Sequence, residues 1–588
     1  MKKRLSLMLV TIMAFGSILA ACGGGEEAAP AETTPTETTD TTTPAETGTE
    51  EAEPAEGAES AIGLTEAEDI SLNPAPAVAR TDSAILGTVA PQGVFNPLFH
   101  QTAYDFAIDD TIFSSLIKIK GDGTYENDLA DNIEISEDNK TYTFHIKDNA
   151  KYSDGTPVTA KDYLFTMKLY MDSSYDGQSD PLSWNVVGAK EYNAGTAKDI
   201  SGVKVIDDKT VSVTVSDYDA MTQVNLGAVT PLSEAYYGKG YKQGDLTSVK
   251  QLNNKPMGPG PYKLTKYTAG QEVDLQANEN YHGGAAKIPN LIYKVTTDTT
   301  NMAMLQSGET DLDNVTVNED NVEELKSFGF LDVNVLKNNG YGYVAMNNKK
   351  PLFADKKVRQ ALTFGLNRAE VVEAAYGPYA EVINIPQSDV SWAYTDKDIE
   401  AYDYDLEKAK SMLDEAGWKE GADGIREKDG KKFEINFSAT ADNPVVDALI
   451  PIMTENYQEL GIKLVTETLD FNAIMEKKDK GDYDMFFAAW GLTPDPDTTV
   501  YITDGAQNNS GYSNPKVDEL YAKGKKELDL EKRKEIYAEA YQMINEDAPE
   551  ILMYQRTNML AINGRLDGWD ITPYKEYQHS LNQVEIAQ

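Results

Sequence analysis

Two nearby runs decide how the chain folds. They are Lys140-Thr141-Tyr142-Thr143-Phe144-His145-Ile146 and Tyr152-Ser153-Asp154-Gly155-Thr156-Pro157-Val158-Thr159-Ala160-Lys161-Asp162. In the first, Tyr142, Phe144 and Ile146 recur every second residue, the period of a strand with one buried face. In the second, Asp154-Gly155 suits a tight turn. Thr159 with Asp162 three residues later has the form of a helix start leading into Tyr163-Leu164-Phe165 and Met167. Moving outward, Thr210-Val211-Ser212-Val213-Thr214-Val215 repeats the strand period. Val358, Leu362, Gly365 and Leu366 share a helical face, and Asn367 caps a second helix that stops at Gly377-Pro378. Asp405 caps Leu406 to Ala416, whose apolar stripe is Leu406, Ala409, Met412, Leu413 and Ala416, with Gly417 as terminator. Asn514-Pro515 opens another helix with proline at its first position, and Asp529 opens a last long one ending before Pro549. Helices and strands alternate throughout, so the class is α/β with added β-rich parts.

The chain has 588 residues, with 96 Asp and Glu against 53 Lys and Arg, a formal net charge of −43. Nucleic acid is excluded as a partner, because a phosphate backbone needs Lys and Arg to release its counterions. The 40% apolar fraction is near the globular average, so a packed core is possible over most of the length. A single cysteine excludes a disulfide framework and multi-cysteine metal sites, and four histidines disfavour a histidine-rich centre.

That cysteine stands at a telling place. Lys2, Lys3 and Arg4 precede the apolar run Leu5 to Leu19, which is too short to span a bilayer and reads as a secretory signal, residues 1–21. Leu19-Ala20-Ala21-Cys22 resembles the bacterial lipobox, which implies that Cys22 is acylated and becomes the mature N-terminus. From Gly23 to Ala79 the chain is mostly Thr, Glu, Ala, Pro and Gly, with 14 acidic residues and no Lys, Arg or aromatic residue. Such a composition buries too little apolar surface to offset chain entropy, so 22–79 is expected to be an acylated, disordered acidic linker.

No catalytic constellation is present. There is no phosphate loop, His-Glu-x-x-His or Gly-x-Ser-x-Gly motif. Asp495-Pro496-Asp497 with Asp504-Gly505 superficially suggests a calcium loop but lacks its glycine and alternating ligands. His100, His145, His282 and His579 are scattered and read as structural. The chain is therefore not expected to be an enzyme or to need a metal or cofactor. The 33 tyrosines against 16 phenylalanines suit a cleft that is wet when open and dry when closed.

Taken in order, several motifs resemble the extracellular solute-binding proteins of family 5, the oligopeptide- and dipeptide-binding lipoproteins of ABC importers. Leu129-Ala130 and the two opening runs come first, then Gly258-Pro259-Gly260-Pro261-Tyr262 and Leu305-Gln306-Ser307-Gly308-Glu309-Thr310-Asp311. Val358-Arg359-Gln360-Ala361-Leu362 with Asn367-Arg368, Ala409-Lys410 to Ala416-Gly417-Trp418, and Asn514-Pro515 with Val517-Asp518 follow. In that reading Gly258 and Gly260 supply unusual backbone angles and Arg359 makes a structural ion pair. The resemblance implies a two-lobed, periplasmic-binding-protein-like (Venus-flytrap) fold with hinge strands and an extra inserted domain. Lobe one would comprise 80–120, 229–335 and 553–588, the inserted domain 121–228, and lobe two 336–552.

The same resemblance implies where a ligand sits. Ala489-Trp490-Gly491 resembles the cleft segment whose backbone pairs with an extended peptide, Trp490 being read as a ligand contact. Phe95-Asn96-Pro97-Leu98 resembles the flanking first-lobe region, and Tyr554 is a further candidate. Thr493 stands where many peptide-binding members carry an aspartate for the peptide's α-ammonium. Either Asp495 or Asp497 replaces it, or the ligand is not held by a free amine. The expected function is a lipid-anchored receptor that delivers oligopeptides to ABC permease and ATPase subunits acting in trans. It is expected to be monomeric, touching the membrane only through its anchor. Its place would be the extracellular face of a bacterial cell membrane, or the periplasmic side where an outer membrane exists. A non-peptide solute such as a glycoside or nickel chelate, and less so a secreted hydrolase, are the alternatives.

Overall fold

A computed structural model describes residues 62–440, 443–497 and 499–587. The signal segment, Cys22 and the linker up to Ala61 lie outside the described residues.

Everything is organised around one strand, Glu550–Asn563, 14 residues long. Its first part pairs antiparallel with Gly340–Met346, from Ala345↔Glu550 to Gly342↔Tyr554. Its second part pairs with Leu331–Lys337, from Lys337↔Thr557 to Leu331↔Asn563, and on its other edge with Leu312–Val315. Its partner changes between Tyr554 and Thr557, where Gln555–Arg556 pair with Ala380–Glu381, and on the other strands between Lys337 and Gly340. One 13-stranded sheet of described residues therefore runs through both lobes. On the lobe-two side the order continues through Met485–Gly491 and Glu434–Thr440 to Lys463–Leu469. On the lobe-one side it continues through Ser83–Thr88, Asn290–Val295 and Glu272–Ala277 to Tyr262–Thr268.

In lobe two the central strand is apolar on both faces, as expected of a strand covered by helices on each side. Met485 and Phe487 point into a layer with Val358, Leu362, Leu413, Leu449 and Tyr457. Phe486, Ala488 and Trp490 point into the opposite layer with Val517, Tyr521, Tyr537 and Tyr541. The covering helices start where local side chains satisfy their free N–H groups. Asn367, Asp405, Asn514 and Asp529 each accept a backbone N–H of the first turn.

The inserted domain is a four-stranded antiparallel sheet in the order Ala130–Ile135, Thr141–Ile146, Thr210–Thr214, Val203–Val205. Tyr142, Phe144 and Ile146 pack with Tyr163 and Met167 of the helix Ala160–Tyr170, which Thr159 and Asp162 open as a capping box.

Three expectations need correction. First, order begins well before residue 80. Gly63–Thr65 pairs with Leu331–Lys337 in the register Gly63↔Val335, and Ala67 N–H donates to Asp332 Oδ1 at 2.7 Å. Asp69 caps the turn Ile70–Leu72, and Pro74 precedes the helix Ala75–Val78, in which Ala77 is fully buried. The entropy argument fails here because an exposed sheet edge offers backbone partners to any extended chain. Second, Gly258 and Gly260 are needed for close approach rather than for positive φ. A Cβ on either would lie within about 2.5 Å of Ile112 backbone atoms. Third, Arg359 makes no ion pair among the described residues; its guanidinium donates to the carbonyls of Phe353, Ala354, Asp547 and Ala548.

Asp311, fully buried in lobe one, binds Arg565 through both carboxylate oxygens at 2.8 Å, Arg80 at 2.7 Å and Ile85 N–H at 2.8 Å. Asp311→Ala strands two cations, and it is expected to cost about 3–5 kcal/mol in urea unfolding of lobe one. Glu550, which opens the crossing strand, is buried and accepts the Tyr501 hydroxyl at 2.7 Å; burial outweighs the hydrogen bonds of Tyr501 and Ser510 and pushes its carboxyl up to about 7. A carboxyl raised in the folded state destabilises progressively as pH rises from its ordinary value, 4.5, to about 7. Glu550→Gln is therefore expected to raise the urea midpoint at pH 8 by roughly 2–3 kcal/mol equivalent, and to change it little at pH 4.

Candidate functional site

The lobes meet where Gly340, the first paired residue after the crossing, faces Gly491. Leu492 N–H donates to Asn339 O at 2.8 Å, and this bond fixes the phase of the antiparallel ladder. Trp490 and Ala488 direct their backbone groups at Tyr341 and Tyr343, so Ala489 and Gly491 direct theirs at the other edge. On that edge Glu434–Thr440 pairs only opposite Met485 and Phe486. Beyond Phe486 no strand of the described residues pairs with it. The result is a short open edge at the lobe junction, with Gly491 exposed to solvent.

Side chains predicted to face a ligand are distributed differently. Trp490 is 8% exposed and stacks on Tyr343, with centroids 5.9 Å apart and planes 6° from parallel. It is a core side chain of the layer shared with Phe486, and its Nε1 is buried without a partner. Phe95 and Asn96 are both fully buried in lobe one. Phe95 packs edge-on to Tyr267 at 5.0 Å, while Asn96 donates to Asn253 Oδ1 and accepts from Leu98 N–H. Tyr554 is buried in the lobe-two core, 5.0 Å from the Tyr376 ring. Its ring lies over Gly342, where a Cβ would come 2.3 Å from Cε1, so the glycine makes room for the tyrosine.

The two acidic candidates are already engaged. Asp495 takes both terminal nitrogens of Arg533 at 2.8 Å each. Burial pushes the Asp495 carboxyl up, against the pull of that guanidinium. Arg533 in turn lies 4.9 Å over the Trp392 ring, and Trp392 Nε1 donates to Pro494 O at 2.9 Å. Asp497 accepts Thr499 N–H at 2.6 Å and its hydroxyl at 2.7 Å, a local turn closure. Thr493 is exposed and donates its hydroxyl to Asp495 O at 2.6 Å. Of the predicted residues, the structure thus brings Gly491, Thr493 and Asp495 to the junction, with Asp497 closing its own turn just beyond. It leaves Phe95, Asn96, Trp490 and Tyr554 as core.

Sequence reasoning missed Tyr125, Trp392, Arg533 and Gln555. Tyr125, on the strand Tyr125–Asn127, reaches near Asp495 from across the junction; burial, then the Asp495 charge, pushes its phenol up. Gln555 Nε2 donates to Asn338 O, Ser388 Oγ and Asp389 Oδ1, and Gln555 Oε1 accepts Asp389 N–H, tying both crossings together. Only the tyrosine excess signalled any of these in advance.

All four histidines face carboxylates: His100 with Asp109, His145 with Glu134, His282 with Asp128 and His579 with Asp110. Among the described residues no group of three His, Cys, Asp or Glu could hold a metal ion. Nor is any described helix long and apolar enough to cross a membrane.

Comparison with known proteins agrees with this geometry. The oligopeptide-binding protein AppA of Bacillus subtilis (strain 168) is 28% identical over 502 residues, covering 84% of this chain and 89% of its own. Heme-binding protein A of Haemophilus influenzae is 26% identical over 505 residues, 82% of this chain and 89% of its own. The structure of AppA from Bacillus subtilis in complex with a nonapeptide matches with a TM-score of 0.68 at 28% identity, covering 86% of this chain and 99% of that one. The family model described as bacterial extracellular solute-binding proteins, family 5 middle, matches residues 124–512. That match takes in more than half of the chain, which belongs to family 5 of the bacterial extracellular solute-binding proteins.

Proposed function

We propose that the protein captures oligopeptides by adding them as a strand to the open edge at Ala489–Gly491. The observation that carries this is the unpaired N–H and C=O of Ala489 and Gly491 at the lobe junction. Backbone pairing takes any extended peptide, because every residue offers the same donor and acceptor. The similarity to an oligopeptide-binding protein, and to that protein's structure with a nonapeptide, supports the same reading. The similarity to a heme-binding protein keeps a non-peptide solute as the outcome that would replace it.

The ligand's amine is not recognised by a dedicated carboxylate. Thr493 is neutral, Asp495 is held by Arg533, and Asp497 closes its own turn. Peptides would then lie through the junction with register set by the strand edge, as suits chains longer than a dipeptide. Cys22 would carry the lipid anchor, residues 22–61 would form the tether, and the receptor would deliver its cargo as a monomer to permease and ATPase subunits. Lobe one, the inserted domain and lobe two would close over the cargo about the crossings near Gln555.

Mass spectrometry of ligand released from the purified protein tests the main reading. A mixture of peptides is expected; a tetrapyrrole, sugar or metal chelate in their place would overturn it. For a peptide so identified, calorimetric affinities of the free and N-acetylated forms are expected to agree within about threefold, whereas loss of a buried charge-assisted bond would change them far more. Methylating the backbone nitrogen that faces Ala489 or Gly491 is expected to weaken binding about tenfold, since it removes one strand hydrogen bond and adds a clash.

A further inference from the structure

The inserted domain and lobe two touch through a compact set of contacts outside the ligand edge. The helix Pro515–Lys526 ends in Lys523, Lys525 and Lys526. Lys526 Nζ lies 2.7 Å from Asp217 Oδ2 and 5.5 Å from the centre of the Tyr218 ring, and it donates to Tyr218 O. Lys525 Nζ lies 3.4 Å from Asp219 Oδ2. The backbone joins as well, with Ala220 N–H donating to Lys525 O at 2.9 Å. That carbonyl is one of the four at a helix C-terminus with no partner inside the helix. The three lysines also suit the negative end of the helix.

Both sides are shaped before they meet. In the inserted domain, Asp219 Oδ1 accepts Met221 N–H and the Thr222 hydroxyl at 3.1 Å each, which leaves Oδ2 for the lysine. In lobe two, Val517, Leu520, Tyr521 and Gly524 bury the helix. Gly524 packs so tightly that a Cβ there would lie 2.8 Å from Tyr537 Cζ. Gly524 O accepts Arg533 Nε at 3.0 Å, and the same guanidinium holds Asp495. The helix end that meets the inserted domain is thus bolted to the segment that continues the open strand edge.

We propose that Asp217, Tyr218, Asp219 and Ala220 form a reversible latch with Lys525 and Lys526, holding the inserted domain on lobe two in the closed form and so retaining cargo. Lys526 and Asp217 act as positioning residues and touch no ligand. Solvent-exposed ion pairs are individually weak, so the latch is easily released when the lobes open. Their exposure also makes it salt-sensitive, because charges more than about 10 Å apart are screened at 0.1 M salt and closer exposed pairs weaken as salt rises further. That cargo is retained rests on the binding function proposed above; the latch itself does not.

Hydrogen exchange of the ligand-free, full-length protein reads the latch directly, through the amide of Ala220. In Lys526→Ala, and in the unaltered protein at 1 M salt, exchange over residues 216–221 is expected to quicken about fivefold. Exchange in Thr210–Thr214, inside the inserted domain, should stay unchanged, which separates latch release from unfolding. The charge-swapped pair Asp217→Lys with Lys526→Asp is expected to restore protection. Equal exchange at Ala220 in Lys526→Ala and the unaltered protein would overturn the proposal. With the co-purified ligand, Lys526→Ala is expected to raise the dissociation rate about fivefold and leave the association rate within twofold. A chain that binds no peptide at all would refute the proposed cargo, while Ala220 exchange would still decide the latch.

Discussion

The backbone ladder of Glu550–Asn563 is the constraint on which the rest of the structure depends. Four residues at its start are paired with Gly340–Met346 across a register shift, and its last seven with Leu331–Lys337. A strand hydrogen-bonded into both halves cannot slip without breaking bonds in each, because a one-residue shift would turn every side chain to the wrong face. The partner changes over a short stretch, Asn338–Asn339 against Gln555–Arg556, where Asn338 N–H donates to Arg556 O at 2.8 Å. Gln555 fills that stretch with donors and an acceptor, and Lys337 adds ion pairs to Glu381 and Asp389. The hinge thus keeps one short ladder, Ala380–Glu381 against Gln555–Arg556, and adds side-chain bonds to it.

The open edge follows from the same geometry. Met485–Gly491 pairs along its full length with Gly340–Met346, yet its outer neighbour reaches only Phe486. An unpaired strand edge is ordinarily a liability for aggregation. Here it is short, lies at the lobe junction, and ends in a glycine without side-chain obstruction. Selectivity for charge at the peptide end would require a free acid beside that edge. Asp495 is instead neutralised by Arg533, and a buried Asp495 without that guanidinium would be a destabilising charge. Arg533 is at once a partner for Asp495, a cap on Gly524 O and a plane against Trp392. Asp495 is thereby part of the lobe's architecture.

How far these features were legible in sequence depended on how local their causes are. Helix starts at Asn367, Asp405, Asn514 and Asp529 were readable because a capping side chain binds an N–H two or three residues away. The strand at Thr141–Ile146 was readable because its partner faces are written in alternate residues. Ordered packing of Gly63–Thr65 was not, since it depends on the edge of Leu331–Lys337, far along the chain. The pairing of Asp495 with Arg533 was hidden for the same reason, and without it Asp495 seemed available to a ligand. The burial of Trp490 had a signal in the sequence. Counting by twos from Phe486 places Ala488 and Trp490 on one face, so a buried Phe486 already implied a buried Trp490. What the proposed ligand edge would use is the backbone between them, and backbone availability has no letter in the sequence.

Charge distribution gives the lysines at the end of Pro515–Lys526 their meaning. In a chain carrying −43, a basic helix terminus is a local exception. Surface acids elsewhere repel one another and keep the protein soluble, but they offer no attraction between lobes. Lys525 set against Asp219 and Lys526 set against Asp217 supply such an attraction. A hinge bound by backbone pairs, Gln555 and the partly buried ion pairs of Lys337 differs from a closure bound by exposed charges. Exposed pairs are screened more than partly buried ones, so the closure weakens with salt more than the hinge does. Opening and closing can then be tuned without disturbing the crossing strand that holds the two lobes in register.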